Sequence, residues 1–332
     1  MTGPSSTLPR GYDRLNVYTR IIVDEACRRE IEVEIFDARR GALVLTHGGR
    51  SVRTLESLSD LTSAVAFRIC DDKRYTREVL ERAGIAVAPG RCATFDQADL
   101  DFLTEHRDVV VKPVRGEQGW GITVGVTNAE ELDQARTAAA RWCPDVLLER
   151  RCPGEDLRVV VIADEVVAAS VRRPAQVVGD GSHTIAELVE DVSRAREAAT
   201  GGASTIPLDD TTRQVVASAG YRVDDVLPDG VTLPVRRTAN LHTGGTIHDV
   251  TDDLHPALAA AAVGVAQAIG IPVVGVDLVV PDVDSPDHVV IEANEQPGLA
   301  NHEPRPTVSR FIDLLFPETA GSSPDVVRVS RL

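Results

Sequence analysis

The sequence predicts an α/β (α+β) chain that is built from two or three subdomains. Its 332 residues exceed the length of one typical domain, and 43% of them are hydrophobic, which is enough to bury a substantial core. Segments with helical spacing also alternate with apolar runs of strand length, separated by Gly, Pro and Asp. We expect an N-terminal α/β unit at 1–70, a central subdomain at 71–145, and a C-terminal subdomain at 146–332 with an insertion at about 176–235.

The first half of the chain begins with a helical pattern, "VYTRIIVDEACRREI", followed by "EVEIFDA" and "ALVLTHGGRSVRTL", which are typical of strands around a short turn. The segment "DDKRYTREVLERAGIAV" predicts a helix with acidic residues at its start and Gly84 at its C-cap, leading into a strand. The segment "DVVVKPVRGEQGWGITVGVT" then predicts a strand, a glycine loop and a strand, and "NAEELDQARTAAARW" predicts a helix capped by Asn128.

In the second half, "DVLLERRCPGEDLRVVVIADEVVAASVRR" predicts three strands. The insertion is less regular, with one helix expected at "TIAELVEDVSRAREAA". Order returns with an Ala-rich helix from Pro256, the strands "PVVGVDLVV" and "HVVIEAN" around the turn "PDVDSPD", and a terminal helix at "TVSRFIDLLF".

Charge composition narrows the class of partner. The chain has 51 acidic and 35 basic residues, a formal net charge of -16, which repels polyphosphate backbones and anionic lipid surfaces. We therefore expect no nucleic-acid or membrane partner. An anionic ligand would need a local cluster of Lys, Arg, backbone N–H groups or metal.

Cysteine usage and the apolar segments predict a soluble, unexported protein of the cytoplasm. The five cysteines show no C-x-x-C or zinc-ligand spacing, and are expected to be reduced: Cys27, Cys70, Cys92, Cys143 and Cys152. The first residues lack the apolar region of a signal peptide, and "ALAAAAVGVAQAIG" is too short to span a bilayer.

The segment "PDVDSPD" predicts an antiparallel hairpin with a metal site on one face. If the turn is centred between Asp284 and Ser285, Asp277 faces Glu292, and Asn294 lies on the same face. Two opposed carboxylates repel each other unless a cation lies between them, and Asp, Glu and Asn oxygens suit Mg²⁺ or Mn²⁺. The alternative is a solvated hairpin face whose carboxylates meet nearby arginines.

A glycine loop and several arginines supply candidate groups for anions. Lys112 ends an apolar strand, and Gly116, Gly119 and Gly121 follow it; glycines let backbone N–H groups approach phosphate oxygens, which a lysine neutralises. The simpler interpretation is a glycine-rich turn beside a lysine, and Lys73 by itself is typical of a solvated helix residue. Guanidinium groups suit carboxylate and phosphate ligands, although an arginine taken singly more often forms a surface ion pair. The candidate arginines are Arg158, Arg172, Arg173, Arg236 and Arg237.

The segment "RRTANLHTGGT" combines arginines with the neutral donors of Asn240 and a Thr-Gly-Gly turn, which would suit a carboxylate about to be phosphorylated. Its His242, like His183 upstream, is typical of a loop or core histidine without a catalytic partner.

The order and spacing of these motifs resemble the ATP-grasp superfamily. The segments "VVVKPVRGEQGWGITVGV", "LLERRCPGEDLRVVVI", "RRPAQVVGDGSHTIAELVE" and "GVDLVVPD...VVIEANEQPGL" are similar to the ATP-grasp region of cyanophycin synthetases and bifunctional glutathione synthetases. The resemblance covers roughly residues 71–300. The beginning and the end of the chain look most like N-acetylglutaminylglutamine synthetase-type ligases. The resemblance implies two α/β subdomains that grip ATP, with a small N-terminal α/β unit.

The resemblance also implies roles for individual residues. Lys73 and Lys112 would contact ATP, with Gly116 to Gly121 folding over the phosphates as a mobile lid. The resemblance further implies that a hinge from Glu149 through Arg150 to Cys152 contacts the adenine base and that Asp156 binds the ribose. The implied metal ligands are Asp277, Glu292 and Asn294, holding two Mg²⁺ (or Mn²⁺) ions. The implied catalytic residues are Arg158, Arg172, Arg237 and Asn240, and each assignment within the pairs 172/173 and 236/237 is open by one residue.

The function implied is an ATP-dependent carboxylate–amine ligase that joins an (N-acyl) amino acid or short peptide to an amine through an acyl phosphate. The sequence shows no acetyltransferase-like region ahead of these motifs and no Mur-ligase-like region behind them, so we expect a single round of amide formation. The rivals are a nucleotide-binding module without catalysis and a phosphotransferase on the same fold. Partners are expected to be small molecules, and a homodimer is compatible with the resemblance.

Overall fold

The computed structural model describes residues 8–116, 119–200, 202 and 204–320. Across these residues the α-helices are α1 (Val17–Arg28), α2 (Ala64–Asp71), α3 (Lys73–Arg82), α4 (Gln97–His106), α5 (Ala129–Ala140), α6 (Ile185–Thr200), α7 (Asp210–Ser218), α8 (Pro256–Ile269) and α9 (Thr307–Leu315). The strands are β1 (Glu32–Asp37), β2 (Ala42–His47), β3 (Arg50–Leu55), β4 (Leu58–Ser59), β5 (Gly90–Cys92), β6 (Val109–Pro113), β7 (Thr123–Val126), β8 (Val146–Arg150), β9 (Glu155–Ile162), β10 (Glu165–Arg173), β11 (Gln176–Val178), β12 (Thr232–Pro234), β13 (Thr246–Asp249), β14 (Val273–Val280) and β15 (Val289–Asn294).

The strands form four sheets in the described part of the chain. Their orders are β1-β2-β3-β4 in the N-terminal unit, β5-β8-β6-β7 in the centre, β13-β10-β9-β14-β15 in the C-terminal part, and β11-β12 in the insertion. Every strand pair within these sheets is antiparallel. The predicted boundary at residue 145 stays a prediction, although β8, which follows it, pairs with β5 and β6 of the central sheet.

The five-stranded sheet is buried on both faces, which explains the unbroken apolar run of β9. Val159 and Val161 pack with α8 in one core cluster, whereas Val160 and Ile162 pack with α1 and α9 in another. Successive side chains of a strand point to opposite faces, so a strand covered on both sides needs apolar residues at every position. The polar residues of β9 and β14 therefore project from a sheet that is packed on both faces.

The insertion has a hydrophobic core of its own, which includes Val177, Ile185 and Val216. Its second helix, α7, was not expected from the sequence. Asp209 caps this helix by accepting a hydrogen bond from the backbone N–H of Thr212. Only nine residues long and rich in Thr and Val, it has too little helical propensity to stand out before packing is known.

Local expectations around α3 need a small correction. Ala83 is the C-cap, and Gly84 follows it in the left-handed region with a φ of 74°. The strand expected directly afterwards is reduced to an isolated bridge between Val87 and Val290, and the next strand begins at Gly90. In the described part of the chain, no helix is both long enough and apolar enough to cross a membrane.

Candidate active site

The hairpin of β14 and β15 has the predicted pairing at the candidate site but not the predicted turn centre. Asp277 lies opposite Glu292, and Asn294 lies opposite Gly275, so both acidic side chains and the amide share one face of the sheet. Nearer the turn, Leu278 lies opposite Val290, so the turn is centred on Asp284, and a shift of one residue between Asp277 and Leu278 gives the predicted pair. The local alternation of side chains therefore delivers a carboxylate pair and an amide to one place, as the sequence predicted.

Two arginines from neighbouring strands surround Asp277. Arg158 lies directly opposite Asp277 on β9, and its Nε and Nη2 both donate to the carboxylate, the latter at 2.8 Å. Arg172 of β10 places Nη2 at 3.1 Å from Asp277 Oδ2 and at 2.6 Å from Asp156 Oδ1. These groups share one face because Asp156 and Arg158 are two residues apart on β9.

The pKa values of this cluster move in opposite directions. Burial acts to raise the pKa of Asp277, but Arg158 and Arg172 outweigh it and lower the value, so Asp277 is ionised. Burial raises the pKa of Asp156, opposed by Arg172 and reinforced by the nearby charge of Asp277. Burial disfavours the charge on Arg172, yet the two carboxylates raise its pKa, which keeps the guanidinium charged.

Lys73 joins the hairpin to the glycine loop. Its Nζ lies 2.9 Å from Glu292 Oε1 and donates to the carbonyl oxygen of Gly116 at 2.7 Å. The side chain is only 5% exposed, so the interpretation of Lys73 as a solvated helix residue is wrong. Asp72 fixes the start of α3 by accepting a hydrogen bond from the N–H of Tyr75, and this places Lys73 at the first helical position.

Lys112 lies in a second buried ionic group. Its Nζ is 2.6 Å from Glu149 Oε2, and the other oxygen of Glu149 is 3.2 Å from Arg77 Nη1. All three side chains are buried. Lys112 and Glu149 reach each other because β6 and β8 are adjacent, and Glu149 lies opposite Val110, two residues before Lys112.

The glycine loop has the backbone that its composition predicted. Gly116, Gly119 and Gly121 all have positive φ, at 142°, 80° and 71°. Residues 117 and 118, which belong to the lid implied by the sequence, lie outside the described residues. Beyond them, Trp120 stacks on Trp142 with ring centroids 5.0 Å apart, and a Cβ on Gly119 would lie 3.9 Å from Asn240 Nδ2. The end of the loop therefore lies between α5 and the segment after the insertion.

Some backbone N–H groups of the predicted hinge already donate hydrogen bonds within the protein. The N–H of Arg150 donates to the carbonyl of Pro89 at 2.8 Å, and the N–H of Arg151 donates to that of Asp108 at 3.0 Å. Cys152 is partly exposed, and its Sγ lies 3.8 Å from the carbonyl oxygen of Arg150. Two backbone donors of this stretch are thus already used by neighbouring segments, and its role as a hinge for the base stays a prediction.

Arg236 and Arg237, which follow the insertion, lie in two different environments. Arg236 is 7% exposed and its Nη1 and Nη2 donate to Asp209 at 2.8 and 3.0 Å, so it belongs to the core of the insertion. Arg237 donates to the carbonyl of Val124 on β7 at 2.8 Å and to Ser218 Oγ at 2.9 Å. Only Arg237 therefore extends toward the central sheet, near the glycine loop.

Arg172 and Arg173 also lie in different environments. Arg172 points into the carboxylate cluster, whereas Arg173, on the opposite face of β10, meets Glu155 at 3.4 Å and is more than half exposed. Asn240 caps a short helical turn, with its Oδ1 accepting the N–H of His242 at 2.9 Å.

Two residues near the site were missed by the sequence interpretation. Arg77 could have been noticed, because it lies four residues after Lys73 and so on the same helical face. His302 gave no signal, since its burial and its proximity to Arg158 depend on the fold. Burial, Arg158 and Arg172 lower its pKa to about 4, against a smaller opposing effect of Asp249.

The hairpin donors fit a magnesium site by their chemistry. Asp277 and Glu292 supply two opposed carboxylates, and Asn294 supplies an amide whose Nδ2 is 3.4 Å from Asp277 Oδ2. No cluster of three or more His, Cys, Asp or Glu side chains suited to a metal occurs within the described ranges. A site here would thus need the amide oxygen and further oxygens from water or phosphate, as Mg²⁺ prefers.

These elements together define the ATP-grasp fold: a four-stranded sheet with a glycine loop and a larger sheet with an Asp/Glu/Asn hairpin. The bifunctional glutathione synthetase from Pasteurella multocida has the same fold, with a TM-score of 0.67 and 29% identity over 93% of this chain and 45% of that one.

The chain is homologous to two kinds of larger protein, as its motifs indicated. It is 34% identical over 323 residues to the cyanophycin synthetase of Trichormus variabilis, covering 92% of this chain and 36% of that protein. It is 30% identical over 328 residues to the glutathione biosynthesis bifunctional protein GshAB of Pasteurella multocida, covering 92% and 43%. The chain thus spans less than half the length of the relatives it matches. No protein-family model matches it.

Proposed function

We propose that this chain is an ATP-dependent carboxylate–amine ligase that forms an amide or peptide bond and releases ADP and phosphate. The observation that carries the proposal is the meeting of two oppositely charged groups at Lys73. The carboxylates of Asp277 and Glu292 lie on one side, and the lysines and glycine loop of the central sheet lie on the other. Such a pair of surfaces suits a metal–nucleotide complex, which carries both signs of charge.

Several residues are proposed to hold ATP. Lys73 and Lys112 neutralise its phosphates, and the N–H groups of Gly116, Gly119 and Gly121 approach phosphate oxygens. Asp156 binds the ribose hydroxyls, and the hinge from Glu149 through Arg150 to Cys152 contacts the base. Support comes from the burial of both lysines beside the loop and from the positive φ of its glycines.

Asp277, Glu292 and Asn294 are the proposed ligands of Mg²⁺ or Mn²⁺, with two ions per site. When bound, the metal spreads the negative charge that develops on the transferred phosphoryl group. Arg158 and Arg172 hold the carboxylate of Asp277 in place and ionised, which keeps its oxygens acceptors only.

The proposed reaction has two steps. A substrate carboxylate oxygen attacks the γ-phosphorus of ATP, so that an O–P bond forms, the bond to the β-phosphate oxygen breaks, and ADP leaves. The nitrogen of an amine then attacks the acyl carbon, phosphate leaves with the C–O electron pair, and the nitrogen loses a proton. Arg172, Arg237 and Asn240 are proposed to bind the carboxylate and the acyl phosphate, because cationic and amide donors stabilise the oxyanion that forms. The enzyme then acts mainly by positioning and charge neutralisation.

The substrate class is proposed to be amino acids and short peptides. The choice is motivated by the resemblance of the motifs to amino-acid and peptide ligases and by the match to a cyanophycin synthetase and a glutathione biosynthesis protein. The partners are then small carboxylates and amines. The five free cysteines, two buried and three partly exposed, support a reducing compartment, and we propose the cytoplasm.

The test is release of ADP and phosphate with a panel of N-acyl amino acids paired with amino acids or amides, followed by mass spectrometry of the products. The ligase is expected to form an amide with one pair, in equal amounts with ADP. Tight Mg–ATP binding without turnover on any pair would favour a non-catalytic nucleotide-binding module. A stable phosphorylated product without an amide would favour a phosphotransferase.

A further inference from the structure

Helix α3 carries a second buried cation toward the candidate site, and the proposed reaction gives it no role. Arg77 lies one helical turn after Lys73, and the two side chains are 8% and 5% exposed. Long cationic side chains are rarely buried in this way unless they are paired. The partners of Arg77 therefore indicate what it does.

One buried carboxylate joins Arg77 to Lys112. Arg77 Nη1 lies 3.2 Å from Glu149 Oε1, whereas Lys112 Nζ lies 2.6 Å from Glu149 Oε2. Arg77 Nη1 also donates to the carbonyl oxygen of Ala88 at 2.5 Å, which fixes the guanidinium at the edge of the central sheet. Arg77 and Lys112 thus act on the two oxygens of a single group that is 4% exposed.

The backbone of β5 leaves room for this contact. Gly90 lies directly opposite Glu149. A Cβ at this glycine would lie 2.9 Å from the carbonyl oxygen of Leu148, 3.0 Å from Glu149 Cγ and 3.1 Å from Arg77 Cζ, so a larger residue would displace the backbone of β8 and both side chains. The close approach of Arg77 and Glu149 thus depends on a glycine at this position of the sheet.

The net charge of Lys112, Glu149 and Arg77 together explains why Arg77 matters. Lys112 and Glu149 alone form a neutral pair, and at low dielectric the carboxylate would cancel much of the attraction between Lys112 and a phosphate. Arg77 gives the trio one net positive charge. The remaining acidic partner of Arg77 is Glu81, at 3.0 Å, but its side chain is 53% exposed and is screened by water.

We propose that Arg77 is a positioning residue for ATP binding, which shares the carboxylate of Glu149 and so leaves the charge of Lys112 available to the phosphates. Arg77 acts through Glu149 and does not touch the nucleotide. The inference rests on the proposed function, because it takes Lys112 as a ligand of ATP.

Isothermal titration calorimetry with Mg–ATP tests this without knowledge of the substrate acid. Arg77→Met is expected to raise the Kd about tenfold, because Glu149 would then cancel much of the attraction between Lys112 and the phosphates. Arg82→Met, on the exposed face of the same helix, is the matched control and should bind like the wild type. If the wild type does not bind Mg–ATP, the proposed function fails. Equal binding by wild type and Arg77→Met overturns only the role of Arg77.

A rescue experiment separates this role from a merely structural one. Glu149→Gln removes the carboxylate that cancels Lys112, so the double variant Arg77→Met/Glu149→Gln is expected to bind Mg–ATP more tightly than Arg77→Met alone. Equal or weaker binding by the double variant would overturn the inference, because removal of the carboxylate that cancels Lys112 would then not restore affinity.

A second single variant covers the case in which Arg77→Met does not fold, as its thermal unfolding would show. Arg77→Lys keeps the positive charge but lacks the forked guanidinium, so its loss of affinity should be distinctly smaller than tenfold. A loss of about tenfold or more in a folded Arg77→Lys protein would show that the charge is not what Arg77 supplies.

Discussion

The two groups of charged side chains that Lys73 joins at the candidate site carry opposite net charge. On the five-stranded sheet, three carboxylates and two guanidinium groups leave one net negative charge: Asp156, Asp277, Glu292, Arg158 and Arg172. On the side of the central sheet and α3, three cations and one buried carboxylate leave two net positive charges: Lys73, Lys112, Arg77 and Glu149. The first arrangement suits a cation and the second a phosphate.

The two sides also differ in how they are built. The negative side is fixed by strand register, because its members lie on adjacent positions of β9, β10, β14 and β15. The positive side brings together a helix, a strand and a loop that are distant in sequence. Lys73 is the only contact named here that joins the two sides, through Glu292 and the carbonyl of Gly116. Disturbing each side should therefore have separate effects on metal binding, stability and nucleotide affinity.

The largest effect is expected from Glu292→Gln. It keeps the shape of the side chain but removes one of two opposed carboxylates, so turnover should fall by about a thousandfold, roughly 4 kcal/mol of transition-state stabilisation. The fold should remain intact, because Lys73, which contacts Glu292, keeps its hydrogen bond to the carbonyl oxygen of Gly116. ADP release and thermal unfolding measure the two outcomes. Asp287→Asn, in the exposed hairpin turn, is the control. Near-normal turnover in Glu292→Gln would show that the hairpin face is only a polar edge.

Asp277→Asn should instead affect stability as well as activity. Without the carboxylate charge, Arg158 and Arg172 lose their shared buried partner, and the free energy of unfolding should fall by about 3 to 4 kcal/mol. Urea denaturation measures this loss, and Asp284→Asn in the hairpin turn is the control. A stability equal to that of the wild type would mean that the two arginines have adequate partners elsewhere.

His302 should make the protein less stable as the pH falls. Its pKa in the folded protein is lowered to about 4, from 6.5, by burial and by Arg158, so the unfolded chain takes up the proton first. The contribution is present above pH 6.5 and is lost as the pH falls toward 4, amounting to about 3 kcal/mol. Because carboxylates also titrate in this range, the measurement is the difference between wild type and His302→Gln. If both lose stability in parallel from pH 6.5 to 4, His302 is not buried as a neutral group.

The smallest effect distinguishes Arg236 from Arg237. Arg236→Met removes a buried two-pronged contact to Asp209 and should cost about 2 kcal/mol of stability. Arg237→Met, at an exposed position, should cost less than about 0.5 kcal/mol. Turnover should show the reverse order, since Arg237 is the one proposed to bind the acyl phosphate. Loss of turnover with Arg236→Met in a folded protein would assign the role to Arg236.

Much of the site was predictable where its geometry is local. The shared face of Glu292 and Asn294 follows from side-chain alternation, whereas the pairing of Asp277 with Glu292 also needs a one-residue shift that the sequence did not show. The positive φ of Gly116 and its neighbours follows from the freedom of glycine. By contrast, the sequence suggested a solvated Lys73, because the composition of a helix does not show which face the rest of the chain will cover.

Partners that are distant in the chain could not be read from the sequence. Nothing local distinguishes Arg236 from Arg237, and the core of the insertion, with the unexpected α7 beside it, decides which one is buried against Asp209. The same holds for the hinge, where the donors of Arg150 and Arg151 are taken by Pro89 and Asp108.

The sequence by itself determined many of the helices and strands, the shared face of Glu292 and Asn294, and the glycine loop, because the periods of strands and the conformational freedom of glycine act over a few residues. Only the tertiary structure decided which charges meet. Lys73 with Glu292, and Arg77 with Lys112 through Glu149, are contacts between segments that many residues separate, and burial at low dielectric makes these contacts energetically important.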